Sequence, residues 1–279
     1  MKLKNAVLLL SDLKMAIVVA LIPTLKAVAK EPTLLFRWQA LSRIFFARMW
    51  MDFGDEVDGN CKDLKERLIT PNAYGVVLDI GAGFGHTAKY LNRARVTRYV
   101  ALEPNALMHD RIRSQANEAG FHESDGTLVI LSCGVEEPLK ILSNLSISSS
   151  SSKQAAKLTS APLVDTIVSV LTLCSVPEPQ KSATRLVQDV LKSGGQLLIY
   201  EHVLSTREDI QWWQRFWAPV WACAFDGCRI DRPTDVWVSE IKDREDKEKS
   251  IWRELDLEKK EAETEETLFG HSVGRFVKG

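Results

Sequence analysis

Between residues 77 and 104 the chain carries three glycines and two acidic residues whose spacing could build a ligand site. Asp79 ends an apolar run, and a second apolar run, residues 99–102, ends at Glu103. A buried strand that ends in a glycine turn lets a ligand approach the backbone. An acidic residue at the end of the next strand can accept both hydroxyls of a ribose. The glycines that follow Asp79 at alternate positions are Gly81, Gly83 and Gly85.

Two classes of ligand fit this design, a dinucleotide and S-adenosylmethionine. The dinucleotide fingerprint has the spacing G-x-G-x-x-G, whereas the glycines here are spaced G-x-G-x-G. The observed spacing, with Asp79 two positions before the first glycine, resembles motif I of class I S-adenosylmethionine-dependent methyltransferases. Because a sulfonium carries no pyrophosphate, we expect Asp79 to lie near the positive charge of the ligand. A helix that begins near His86 would add an electropositive end.

Length and composition fit one enzyme domain with an appended element. The chain has 279 residues, of which 45% are hydrophobic and 26% are charged, as in ordinary globular proteins. Its 36 Lys and Arg residues nearly balance its 37 Asp and Glu residues, so no global positive field would attract nucleic acid. We therefore expect a small, roughly neutral substrate and no nucleic-acid partner.

The cysteines are odd in number and scattered, without C-x-x-C spacing and without an accompanying His pair. This spacing predicts no metal site, and it indicates reduced thiols in a cytosol-facing protein. The cysteines are Cys61, Cys133, Cys174, Cys223 and Cys228.

The chain is predicted to divide into a helical extension, residues 1–60, and a catalytic domain, residues 61–279. Two apolar runs lie within residues 1–30, separated by charged residues and flanked by lysines. Neither approaches the roughly 20 residues that span a bilayer, and Pro23 would kink a helix. Two interpretations stay open for this segment: an interfacial anchor that makes peripheral membrane contact, and a lid helix packed on the domain.

Strands that alternate with helices predict an α/β fold with a doubly wound, mostly parallel sheet. In such sheets ligands bind outside the carboxyl ends of the strands. A serine-rich stretch at about residues 144–160 is expected to be a flexible surface insertion. The expected strands begin near Gly75 and continue with residues 99–102, 127–133, 164–176, 196–200 and, as an antiparallel edge strand, 267–278.

Three side chains are candidates for acid–base chemistry on an acceptor. His202, which directly follows the fifth expected strand, is the first candidate for a general base. The alternative is that His202 only orients a loop through hydrogen bonds. Asp226 and His271 are weaker candidates for the same role.

Several motifs in the second half of the chain resemble the membrane-associated methyltransferase-like family. They are LTLCSV at residues 171–176, EHV at 201–203, the Trp-rich stretch that follows, and FDGC at 225–228. Mammalian members of that family are alkyl thiol S-methyltransferases of the endoplasmic reticulum and lipid droplets. The motifs GAGFGHT, ALEPN and GRFVK look more like filamentous-fungal relatives. Some of those resemble tailoring enzymes of natural-product clusters, including N-methyltransferases of modified peptides.

The resemblance implies a class I, Rossmann-like sheet of seven strands, with S-adenosylmethionine as cofactor. It implies a small molecule or small peptide as acceptor, methylated on a thiol, amine or hydroxyl, and a cytosol-facing place at the endoplasmic reticulum or a lipid droplet. It also places the cofactor against Pro104, Glu136 and Leu173. Two other functions stay open: a non-catalytic methyltransferase-fold scaffold, and an NAD(P)-dependent oxidoreductase on the same sheet.

Overall fold

Seven strands form one sheet in the computed structural model, which describes residues 7–149, 163–261 and 263–279. The strands are β1 (Gly75–Ile80), β2 (Val96–Leu102), β3 (Leu128–Leu131), β4 (Val164–Val170), β5 (Leu191–His202), β6 (Trp252–Lys259) and β7 (His271–Lys278). Their order across the sheet is β3-β2-β1-β4-β5-β7-β6. Pairing is parallel from β3 to β5 and antiparallel at β7 and β6. The predicted fold class, a mostly parallel seven-stranded α/β sheet, is confirmed.

Helices cover both faces of this sheet and extend the chain at its amino-terminal end. The α-helices are α1 (Leu8–Lys30), α2 (Trp38–Asn60), α3 (Lys62–Leu68), α4 (His109–Glu118), α5 (Pro138–Ser149), α6 (Pro179–Arg185), α7 (Glu208–Ala224) and α8 (Thr234–Ser239). Shorter turns are the 3-10 segments Pro32–Phe36, His86–Tyr90 and Ala106–Met108 and the π segment Leu186–Val190.

Side-chain alternation along the strands divides the core into two layers. Leu78 and Ile80 of β1 belong to one apolar cluster, and Val77, which precedes Leu78, belongs to the cluster on the other face. This is the period-two pattern of a strand buried on both faces. A third cluster joins α1, α2 and α7 through residues such as Ala20, Met49 and Trp221. The helical extension therefore packs on the helices beside the sheet.

Two expectations about local structure need correction. The helix expected near His86 is only a five-residue 3-10 turn, His86–Tyr90, because the chain must return at once to begin β2. The serine-rich insertion was expected from about residue 144, but residues 144–149 complete α5. Residues 150–160, the rest of that insertion, lie outside the described residues.

The amino-terminal helix α1 continues through Pro23, although proline leaves the carbonyl of Val19 without its helical N–H partner. Within the described ranges, no helix combines the length and the apolar character needed to cross a membrane. α1 nevertheless exposes a row of large apolar side chains. They are Leu10, Met15, Ile17, Val18, Leu21, Ile22 and Leu25, and Val7, which directly precedes the helix, is exposed as well.

Candidate functional site

A cavity of about 460 Å³ lies where β1, β2 and β4 end. Sheet order reverses between β1 and β4, so this is the switch point at which doubly wound sheets bind their ligands. Its volume falls in the range of small-ligand pockets, roughly 300–1,000 Å³. The cavity brings together six of the residues predicted from the sequence: Gly81, Gly83, Glu103, Pro104, Glu136 and Asp226.

The three glycines after β1 serve three different purposes, although all have left-handed backbone conformations. A Cβ at Gly81 would lie 2.5 Å from the side chain of Thr172, so this glycine permits close packing on the loop after β4. A Cβ at Gly85 would lie 2.9 Å from the Ile112 backbone of α4. A Cβ at Gly83 would have Trp50 Nε1 as its nearest neighbour, at 3.4 Å. Gly83 alone of the three therefore leaves space on the cavity side.

Glu103, at the end of β2, ties the glycine turn to the next loop. Its carboxylate accepts hydrogen bonds from the Gly83 N–H at 2.9 Å and from the Asn105 N–H at 2.8 Å. Burial raises the pKa of Glu103 to about 7, although the two backbone N–H groups oppose that shift. Each carboxylate oxygen has a second lone-pair site. Glu103 can therefore accept further hydrogen bonds from a ligand in the cavity.

Asp79 lies beneath the glycine turn and is not part of the cavity lining. The Tyr99 hydroxyl donates to its carboxylate at 2.8 Å, and the side chain is 1% exposed. Burial raises the pKa of Asp79 to about 6, opposed by the hydrogen bonds from Tyr99 and Thr87. That Asp79 lies near the positive charge of the ligand stays a prediction, in which its buried carboxylate would act from outside the lining.

The loop after β3 contributes Glu136, which is exposed and lines the cavity as expected. The loop after β4 differs from the expectation, because Leu173 is buried and does not reach the lining. Its backbone N–H donates to the carboxylate of Glu201 at 3.1 Å. Glu201, fully buried at the end of β5, also accepts from the Ser169 hydroxyl at 2.5 Å. This buried acid fixes the loop that carries the lining residues.

The two candidate histidines lie outside the cavity lining, which corrects their assignment to acid–base chemistry there. His202 Nδ1 is 3.9 Å from Cys228 Sγ, and its ring packs on Phe269. His271 Nδ1 is 2.5 Å from the Glu263 carboxylate. Burial lowers the pKa of His271 to about 4, against the opposing effect of Glu263. His202 and His271 are cross-strand partners on β5 and β7, and their ring centroids lie 4.7 Å apart.

Asp226 is the sequence-predicted acid–base candidate that does face the cavity. It follows α7 in a left-handed conformation with φ 46°, which is uncommon for a residue with a side chain. Such strain is concentrated at functional sites. Burial raises the pKa of Asp226, and the positive charge of Arg43 partly offsets that shift. The Asp226 carboxylate therefore lies within reach of the Arg43 positive charge in the same cavity.

The roof of the cavity comes from α2, which contributes Trp38, Arg43, Phe46 and Trp50. Phe46 and Trp50 stack with ring centroids 5.3 Å apart. Arg43 Nε is buried without a hydrogen-bond partner among the described residues. Buried polar groups ordinarily have partners, so this donor indicates room for a ligand acceptor. Sequence reasoning missed Arg43, for which the signal was a basic residue among the aromatic and apolar side chains at the start of α2.

Comparison with known proteins identifies the family. The family described as "Methyltransferase domain" matches residues 53–233, which is more than half of the chain. The thiol S-methyltransferase TMT1B of Rattus norvegicus is 38% identical over 96 residues, which make up 34% of this chain and 35% of that protein. The chain therefore matches about a third of the length of that curated relative.

Solved structures show the same fold at low sequence identity. An O-methyltransferase family protein from Burkholderia thailandensis superposes with a TM-score of 0.55 and 11% identity, over 86% of this chain and 60% of that one. A SAM-dependent methyltransferase from Leishmania major has a TM-score of 0.50 and 14% identity, over 86% of this chain and 82% of that one. These similarities concern the fold alone.

Three features of the cavity fit S-adenosylmethionine, a ribose-containing ligand with an anionic end. They are the open space at Gly83, the remaining acceptor sites of Glu103 and the Arg43 Nε that lacks a partner among the described residues. NAD(P) also carries ribose and negative charge, so it is the family match that decides against the oxidoreductase alternative. The chain therefore belongs to the methyltransferase-domain family, with the class I fold and S-adenosylmethionine as its cofactor.

Proposed function

We propose that this protein methylates a small-molecule acceptor held between the glycine turn and the aromatic roof on α2. The observation that carries the proposal is the cavity itself, in which Gly83, Glu103 and Glu136 lie on one side and Trp38, Phe46 and Asp226 on the others. When bound there, S-adenosylmethionine supplies an activated methyl group. The protein's contribution is alignment of the two reactants, with the reacting atoms about 3 Å apart.

The cofactor would be held by groups at the ends of three strands. Glu103 would accept hydrogen bonds from the ribose hydroxyls, and Glu136 lies where the adenine would be placed. Gly83 leaves space for close approach of the ligand, since a side chain there would project toward the roof at Trp50. Arg43 Nε, which has no hydrogen-bond partner among the described residues, would donate a hydrogen bond to the cofactor's carboxylate. Asp79 supports this arrangement from beneath the turn.

A thiol is the acceptor class that we favour. The rat relative is named a thiol S-methyltransferase, and the aromatic side chains of Trp38, Phe46 and Trp50 give the cavity an apolar roof suited to an alkyl or aryl thiol. A thiol with a pKa near about 8.5 is only partly ionised at neutral pH. We propose that the Asp226 carboxylate accepts the acceptor's proton. The proposal also retains amines, hydroxyls and short modified peptides as tailoring substrates to be tested.

We further propose that the amino-terminal extension makes peripheral membrane contact. Val18, Ile22 and Leu25 of α1 are each more than half exposed, on a helix that also carries Lys14, Lys26 and Lys30. The cavity lining begins only at Trp38, so the roof role belongs to α2. The exposed apolar row of α1 would therefore contact a membrane interface. The cytosol-facing surface of the endoplasmic reticulum or of a lipid droplet would supply such an interface.

The test of catalysis is turnover by the purified full-length chain. S-adenosylmethionine is supplied with an alkyl thiol, an aryl thiol, an amine, a phenol and a short linear peptide, and both S-adenosylhomocysteine and the methylated product are measured by mass spectrometry. We expect product with a thiol, and we expect Asp226→Asn to lower kcat by about 10²-fold or more. Asp110→Asn, on the exposed surface of α4, is the matched control and should keep parental turnover.

Absence of product with every acceptor, from protein that binds the cofactor, would instead support the scaffold alternative. Parental turnover by Asp226→Asn would remove Asp226 from the mechanism while leaving the methyltransferase assignment intact.

A further inference from the structure

Three metal-ligating side chains from distant parts of the sequence meet behind one wall of the cavity. Cys174 lies in the loop after β4, His202 ends β5, and Cys228 lies in the loop after α7. The two sulfur atoms are 3.3 Å apart, and His202 Nδ1 is 3.9 Å from Cys228 Sγ. All three ligand atoms lie within 4.8 Å of one another. Both thiols are reduced and buried.

Hydrogen bonds outside the cluster hold its three backbone segments in place. The Arg229 N–H donates to the Cys174 carbonyl at 2.9 Å, which joins the two cysteine loops. Arg232 donates to the same carbonyl at 2.7 Å. The Thr234 hydroxyl donates to the His202 carbonyl at 2.8 Å. The positions of the ligands therefore do not depend on contacts between the side chains themselves.

We propose that Cys174, His202 and Cys228 form a zinc-binding site. Zinc bonds of about 2.3 Å to sulfur and about 2.0–2.1 Å to imidazole nitrogen, in a tetrahedron, place the ligand atoms about 3.5–3.8 Å apart. The observed separations of 3.3 and 3.9 Å lie on either side of that range. On binding, each thiol loses its proton to solvent, and the two thiolates neutralise the dication in a buried setting.

The ligand set also selects the class of metal. Two thiolates and an imidazole are soft donors that favour zinc, whereas calcium and magnesium require oxygen ligands. No sequence motif indicated this site, because its two cysteines lie 54 residues apart rather than in a C-x-x-C motif.

The consequence of zinc binding would be local order at the cavity wall. Ser175 and Gly227, the chain neighbours of Cys174 and Cys228, both line the cavity, as does Asp226. One ion would therefore tie together the loop after β4, the end of β5 and the loop that carries Asp226. Three protein ligands leave one tetrahedral position for a ligand from outside the protein.

The experiment measures metal on the full-length chain, independently of turnover. Reduced protein is dialysed against zinc and then against metal-free buffer, and the retained zinc is measured by inductively coupled plasma mass spectrometry. We expect one ion per chain. Cys174→Ser and Cys228→Ser should each weaken zinc retention by about tenfold or more. Cys223→Ser, which alters an exposed cysteine outside the cluster, should retain the parental amount.

A second measurement does not depend on any variant folding correctly. Cobalt(II) added to the parent protein should produce thiolate-to-cobalt charge-transfer absorption, and added zinc should abolish it. The proposal is overturned if the reduced parent retains no zinc and gives no such absorption. It is also overturned if reduced and oxidised samples show that Cys174 and Cys228 form a disulfide in preference to binding metal.

Discussion

At the scale of single residues, the glycine turn shows that a shared motif can serve unlike purposes. Gly83 faces the roof of the cavity, whereas Gly85 is packed against the backbone of α4. We expect Gly83→Val to abolish cofactor binding and, because its backbone is left-handed, also to lower the free energy of unfolding. Gly85→Val should lower the free energy of unfolding further, because Ile112 backbone atoms also occupy the space that its side chain requires. Calorimetric titration and chemical denaturation of both variants separate the two effects, and equal behaviour in both assays would contradict this division.

Glu103 should make cofactor binding depend on pH. Because burial raises its pKa to about 7, the carboxyl is largely protonated below that pH and largely ionised above it. The ionised form offers the stronger acceptor for ribose hydroxyls. Cofactor affinity should therefore increase as pH rises through about 7. Glu103→Gln, which cannot ionise, should lose this increase, and Glu103→Ala should weaken binding by about 1.5–3 kcal/mol.

A pH-independent affinity in the parent protein, or parental affinity in folded Glu103→Ala, would argue against ribose recognition by this residue. The matched control is Glu118→Gln on α4, which should keep the parental pH profile.

Asp79 lies beneath the glycine turn rather than in the cavity lining, so its replacement is expected to lower the stability of the fold. Asp79→Ala would leave the buried Tyr99 hydroxyl without its acceptor, at a cost of about 1–3 kcal/mol in the free energy of unfolding. Asp79→Asn retains an acceptor oxygen and should cost less. Urea denaturation of the two variants provides the comparison. Equal stability of Asp79→Ala and the parent protein would show that the Tyr99 contact contributes little.

At the scale of secondary structure, the sequence predicted the elements that have strong apolar periodicity. β1, β4 and the second half of β5 are rich in apolar residues, so their approximate positions followed from the sequence pattern, although β5 begins at Leu191, before the expected residue 196. β6 was not expected, because six of its eight residues are exposed and most are charged, as befits an edge strand. The short 3-10 turn at His86–Tyr90 could not be foreseen from local sequence either, because its length is imposed by the return to β2.

The residues of the candidate site also divide into those that the sequence pattern predicted and those whose place depends on the fold. Gly83 and Glu103 were predictable because the motif places both at strand ends. Arg43 of the roof was missed because its role depends on how α2 lies over the cavity. His202 was assigned to acid–base chemistry from its place at a strand end. Whether a strand-end side chain faces the cavity depends on the pleat and on the neighbouring loops, which one sequence does not specify.

The apolar row of α1 leads to a prediction about membranes. Val18 and Ile22, which lie one turn apart and are 68% and 61% exposed, would enter the interface. Val18→Glu with Ile22→Glu should strongly reduce cosedimentation with anionic liposomes, because charged side chains oppose burial in the acyl region. Val236→Glu, an exposed apolar position on α8, is the control and should not change binding. Unchanged liposome binding by the double variant would contradict membrane contact through this face.

At the scale of the whole molecule, the extension and the sheet have separable tasks in this proposal. α1 packs on α2 through the apolar cluster that also includes α7, but the cavity lining starts beyond it. Deleting residues 1–30 should therefore release the protein from liposomes while leaving cofactor affinity close to that of the full chain. Loss of turnover with unchanged membrane partitioning would instead favour the lid interpretation. Sedimentation and activity are both measured on the two proteins.

The central claim is that the cavity at the switch point of the sheet holds S-adenosylmethionine. Isothermal titration of the full-length chain with S-adenosylmethionine, S-adenosylhomocysteine and NAD tests it most directly. We predict one binding site for each of the first two ligands, no binding of NAD, and loss of both affinities in folded Gly83→Val. Binding of NAD, no binding of either adenosyl compound, or undiminished binding by Gly83→Val would contradict the claim.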